Sequence, residues 1–137
     1  RIGPRRCLEI MCGSGALSYA LQACGVQLIA TDNFSWQENA SCWYEHPWTD
    51  IQLMDCLEAI REYGSRTDLV ICSWPYMDDT CYQALLEMRR AIPVAQMLYI
   101  GEPAGGATAH PDRIATFTAV GYRYGRLQLF LPLIILQ

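Results

Sequence analysis

The stretch Cys7-Leu8-Glu9-Ile10-Met11-Cys12-Gly13-Ser14-Gly15 decides how the rest of the chain is read. Residues 7–12 are apolar apart from Glu9, and a Gly-Ser-Gly turn follows at once. Leu17, Ala20, Leu21 and Cys24 then recur at helical spacing until Gly25 stops the pattern. A strand that runs through a glycine turn into a helix opens a parallel α/β unit. Paired glycines let a ligand approach the backbone, and the helix start offers free N–H groups. The dinucleotide fingerprint wants a third glycine at a set spacing, and residue 18 is serine, so that pattern fails. Glu9, four residues ahead of the first glycine, suits a cationic or amino-bearing ligand and would repel a pyrophosphate. The same letters also suit a plain strand-to-helix turn.

Working outward, the unit repeats. Residues 27–31 read as a strand ending at Asp32. Residues 33–48 are aromatic and irregular, with room for a short helix. Residues 51–54 form a strand ending at Asp55, and Leu57, Ile60 and Tyr63 mark a helix closed by Gly64. Residues 68–72 form a strand broken by Ser73-Trp74-Pro75-Tyr76. Asp78-Asp79-Thr80 can cap a helix carrying Tyr82, Leu85, Leu86 and Ile92. Residues 94–100 are a strand, 112–120 a short helix, and 122–130 with 133–136 a terminal hairpin. Runs this apolar are covered on both faces. The expectation is one α/β domain: a Rossmann-like three-layer sandwich, its mostly parallel seven-stranded sheet ending in an antiparallel hairpin.

Composition narrows the function. The chain has 137 residues, 52% hydrophobic and 18% charged, one domain's worth and too apolar for disorder. Net charge is −4, and all ten basic residues are Arg. The absence of Lys excludes a phosphate-loop or Schiff-base lysine, and the acidic balance makes bulk nucleic-acid binding unexpected. None of the seven Cys pairs as CxxC, so they read as small buried hydrophobes in a reducing compartment, and a cytoplasmic location is expected. The longest apolar run, residues 129–136, is far short of the ~20 residues that span a bilayer. The chain opens at Arg1 rather than Met, which leaves room for a missing N-terminal segment.

In open parallel sheets, ligands bind beyond the carboxyl ends of the strands, so the residues that end each strand carry the functional reading. Asp32 there can accept both hydroxyls of a ribose. Asp55 can meet an adenine amino group or simply cap the next helix. Glu9, Asp32 and Asp55 ending three successive strands are more specific than any one of them.

With these residues in view, the chain resembles the class I S-adenosylmethionine-dependent methyltransferases over about residues 7–137. The resemblance implies S-adenosylmethionine as cofactor, S-adenosylhomocysteine as product and no metal. Cofactor contacts would fall on Glu9, Met11, Cys12, Gly13, Ser14, Gly15, Asp32, Asn33, Asp55, Cys56 and Ser73. Met11 stands where the family pattern has its first glycine, and the helices that often roof the substrate site have no counterpart here. Ser73-Trp74-Pro75-Tyr76 resembles the Asp/Asn/Ser-Pro-Pro-aromatic tetrapeptide of amino-methyltransferases, with Trp74 in place of the first proline. The catalytic set this implies is Ser73, Trp74, Pro75 and Tyr76, joined by Glu102 at the end of strand five, which reads equally as an exposed loop acid.

The expected activity is methyl transfer to a nitrogen or oxygen of a small molecule, nucleobase or protein side chain. The alternatives are a non-catalytic cofactor-binding scaffold and a nicotinamide-dependent oxidoreductase. His46 and His110 read as solvent-facing loop residues. Phe34, Trp36, Trp43, Tyr44 and Trp48 read equally as a pocket wall or a packing patch. That patch and the apolar C-terminus are where a second copy or a partner chain would dock.

Overall fold

The computed structural model describes residues 6–38, 46–101 and 133–136. In chain order the elements are β1 (Arg6–Ile10), α1 (Ala16–Ala23), β2 (Gln27–Asp32), β3 (Ile51–Leu53), α2 (Cys56–Tyr63), β4 (Leu69–Ser73), α3 (Thr80–Ala91), β5 (Gln96–Ile100) and β6 (Leu133–Leu136). They form one sheet in the order β3-β2-β1-β4-β5-β6. β1 to β5 are parallel, and β6 runs antiparallel to β5. The first arm of the expected hairpin, 122–130, and the helix expected at 112–120 lie outside the described residues.

The strand order fixes where each helix lies. The chain steps from β1 to β2 in one direction, then from β3 to β4 and β4 to β5 in the other. Right-handed crossovers therefore put α1 on one face and α2 with α3 on the opposite face. Side chains alternate accordingly. Leu8, Ile10, Val70, Cys72, Met97 and Tyr99 pack against Ala59 and Ile60 of α2 and Ala84, Leu85 and Met88 of α3. Burying each Leu or Ile there contributes about 1.5–3 kcal/mol. The intervening Glu9, Ile71 and Ser73 face α1. Five of the cysteines, Cys7, Cys12, Cys56, Cys72 and Cys81, are buried as thiols, while Cys24 is exposed.

Element ends differ from the sequence reading for local reasons. β1 stops at Ile10 because Met11 turns to φ 53°. β5 begins at Gln96 because the Ala95 N–H bonds back to the Ile92 carbonyl at 2.9 Å, which turns Val94 out to solvent. Gly64 caps α2 as the sequence predicts, though not in the left-handed form. It stays right-handed, and the chain continues through a 3-10 turn at Gly64–Arg66. Glycine eases the close approach there: a Cβ would sit 3.2 Å from Ile92 Cγ2, tighter than ordinary contact. Among the described residues, no helix is long and apolar enough to cross a membrane.

Candidate functional site

The carboxyl ends of β1, β2, β3 and β4 open on one cleft of about 870 Å³, inside the usual range for small-molecule sites. It lies at the switch point, where the chain leaves β1 toward β2 on one side and β4 pairs on the other. Met11, Cys12, Gly13, Ser14, Asp32, Asn33, Asp55, Cys56 and Ser73 through Tyr76 all line it. Twelve residues named from the sequence thus meet in one place. Glu9 and Gly15 are not in the lining, and Glu102 lies outside the described residues.

Gly15 acts from behind. Its φ is 75°, and a Cβ there would come within 3.0 Å of both Thr49 Cγ2 and Ile51 Cδ1. It lets the turn close against the entrance to β3. Gly13, at φ 58°, has open space where a Cβ would stand.

Asp32 organises the turn. Its buried carboxylate takes the Gly13 N–H at 2.7 Å on Oδ2, and the Phe34 N–H at 2.6 Å with the Trp36 indole N–H at 3.1 Å on Oδ1. A carboxylate offers about four acceptor positions. One position is left for a ligand, where the expectation of two ribose hydroxyls needs two. Asp55 is the α2 cap, with Oδ1 accepting the Leu57 N–H at 2.9 Å, and the residue also lines the cleft.

Glu9 corrects the reading of an acid facing the ligand. It is 0% exposed, on the α1 side beneath the cleft floor. Ser73 Oγ donates to its Oε1 at 2.9 Å and Ser18 Oγ donates to its Oε2. Burial raises its pKa above the usual 4.5, the two serine bonds oppose that, and Asp32 adds repulsion. The folded protein therefore holds this proton more tightly than the unfolded chain does. Stability should fall as pH rises from the ordinary glutamate value through the higher folded value, then level off. Glu9→Gln should remove that slope, which urea midpoints measured between about pH 4 and about pH 8 would reveal.

Among the described residues, two thiols reach the cleft, and their surroundings hold both in the protonated form. Burial, with Glu9 and Asp32 behind it, pushes the Cys12 thiol well above its usual range. Burial and Asp55 push Cys56 up to about 12. Both stay protonated at neutral pH. Burial, with Asp32 and Asp78 adding repulsion, likewise raises the Tyr76 phenol. No group of three or more His, Cys, Asp or Glu among the described residues could hold a metal ion.

Among the described residues, three other than glycine take positive φ: Met11 at 53°, Phe34 at 55° and Trp74 at 49°. Each sits just past a strand end at this cleft, and the left-handed form costs an L-residue about 1–2 kcal/mol. Trp74 separates the turn from its proline-first counterpart in backbone as well as letter. Proline is locked near φ −65°, and its lack of an N–H would remove the Trp74 N–H bond to the Ile100 carbonyl at 2.7 Å. Trp74 and Tyr76 are about half exposed, at 50% and 54%, and Pro75 between them is buried.

The aromatic segment divides. Trp36 lines the cleft and meets Phe34 edge-on, with ring centroids 6.1 Å apart. Trp48 instead stacks at a tilt on Tyr19, 5.9 Å away and outside the cleft. His46 is exposed, as expected of a loop histidine. Trp43, Tyr44 and His110 lie outside the described residues. The lining also includes Leu17, Met54, Asp78 and Thr80, which the sequence reading gave only structural roles. Their position one or two residues from a strand end or helix start was the available signal. No protein-family model matches the chain, and no curated protein matches it.

Proposed function

We propose that the cleft binds S-adenosylmethionine and its demethylated product, and that the chain is a methyltransferase acting on a nitrogen or oxygen of a small molecule, nucleobase or protein side chain. The observation that carries this is the convergence of Gly13, Asp32, Asp55 and Ser73–Tyr76 on one switch-point cleft. The residues suit the group. Gly13 leaves open space beside the turn, Asp32 keeps one acceptor position, and Asp55 Oδ2 is not used by the helix cap. When bound, the cofactor supplies a methyl already activated on a sulfonium, so the protein's share is positioning and exclusion of water. The faces of Trp74 and Tyr76 would each stabilise a neighbouring cation by about 0.5–2 kcal/mol. Ser73 Oγ and the Trp74 carbonyl would accept from the methyl acceptor's N–H, and Pro75 stiffens the turn that carries them. The seven-stranded sheet with its terminal hairpin, a cytoplasmic location, a role for Glu102 and docking of a second copy or partner chain belong to the same proposal.

The test is calorimetric titration with S-adenosylmethionine and S-adenosylhomocysteine. Asp55→Asn keeps a good helix cap, because asparagine caps as well as aspartate. It places an NH₂ where Oδ2 stood, and two facing donors repel. Affinity for both ligands should fall about tenfold with the melting temperature little changed. No binding by the unmodified protein would sink the proposal, and equal affinity in Asp55→Asn would remove Asp55 from it.

A further inference from the structure

Ser73 closes β4 on the cleft, and a serine hydroxyl is ambiguous there: it can donate to a ligand or accept from it. Glu9 removes the ambiguity. Its carboxylate lies fully buried under Ser73, with Oε1 accepting from Ser73 Oγ at 2.9 Å and Oε2 accepting from Ser18 Oγ. When ionised, that carboxylate only accepts, and the single Ser73 proton then points down to Glu9. Among the described residues, the titratable groups around Glu9 are Asp32 at the end of β2, Cys12 after β1 and Cys72 on β4, none of them a cation.

We infer that Glu9 is a positioning residue that turns the Ser73 hydroxyl proton away from the cleft, so that Ser73 presents an acceptor-only contact and selects an amino nitrogen. That nitrogen belongs either to the cofactor's amino-acid end or to the methyl acceptor. Naming the cofactor rests on the function proposed above; the direction of the hydroxyl does not. The contact also carries a pH sign. Once Glu9 is protonated it can donate to a serine, so the amino preference strengthens as pH rises through the Glu9 titration.

Two measurements test this. In the ligand-free protein, NMR should show the Ser73 hydroxyl proton exchanging slowly. The signal should persist in Ser18→Ala and vanish in the double variant Glu9→Met with Ser18→Ala, which replaces both buried polar partners by apolar groups and so limits the damage to folding. Binding is then compared for ligand pairs that differ in one amino group: S-adenosylhomocysteine against its desamino analogue, and adenine against purine with S-adenosylhomocysteine present. The wild type should favour the amino member of one pair by about tenfold or more, and which pair it is identifies the source of the nitrogen. Ser18→Ala should keep the preference, the double variant should lose it, and Glu9→Gln should make it independent of pH. A freely exchanging Ser73 hydroxyl in the wild type overturns the inference. So does a wild type that tells neither pair apart, a preference that survives in the double variant, or a loss already complete in Ser18→Ala. If S-adenosylhomocysteine does not bind, the cofactor reading falls, while the exchange measurement still decides which way the hydroxyl points.

Discussion

Asp32→Ala is expected to lower the melting temperature by about 10 °C, more than removal of an ordinary loop acid would. The carboxylate is 4% exposed and is the acceptor for two backbone N–H groups and one indole N–H. Each buried donor left without a partner costs about 1–3 kcal/mol, and water entering from the open cleft recovers part of that. A net loss of about 3 kcal/mol, at about 3–5 °C per kcal/mol for a chain of this size, gives the figure. Asp32→Asn should fall in between, because one oxygen still serves Phe34 and Trp36 while an NH₂ faces the Gly13 N–H. Scanning calorimetry of the three proteins checks the order. A melting temperature for Asp32→Ala within about 2 °C of the parent would mean that these bonds do not hold the turn.

The other large effect is on turnover. On the function proposed above, Tyr76→Ala should cut methyl transfer by about 10²-fold or more through lost positioning of the acceptor, with cofactor affinity little changed. The structure places Tyr76 on the cleft wall with half its surface exposed, so its truncation leaves no core cavity and should shift stability by no more than about 0.5 kcal/mol. Transfer of label from methyl-labelled S-adenosylmethionine into cell extract, with calorimetry alongside, separates the two quantities. A protein that binds the cofactor but transfers no label in either form is a non-catalytic binding domain. One that transfers equally well with Ala at 76 does not use the turn for its acceptor.

Much of this was legible because a residue that breaks the apolar run stands at, or within three positions of, the end of each parallel strand. Gly13, Asp32, Asp55 and Pro75 stand out as letters, and the topology then has no choice but to gather them on one edge. Depth was less legible. Glu9 sits between Leu8 and Ile10, whose burial against α2 and α3 sends residue 9 to the other face. Ser18, nine residues on and in the first turn of α1, is its natural partner, but nothing in the spacing announces the second bond to Ser73. Asp32 reads as a ligand contact because its donors, Gly13, Phe34 and Trp36, are brought to it only by the folded turn. Trp36 and Trp48 are indistinguishable by composition. One follows β2 into the cleft, whereas the other meets Tyr19 on the outside of α1.

Residues 11, 13 and 15 share one backbone habit, with φ of 53°, 58° and 75°, yet only two of them are glycine. The turn therefore stores its instruction as an angle rather than as a letter. At Met11 the chain follows the path a glycine would take. Drift at such a position is nearly silent in three dimensions: Met11→Gly would relieve local strain and leave the trace where it is.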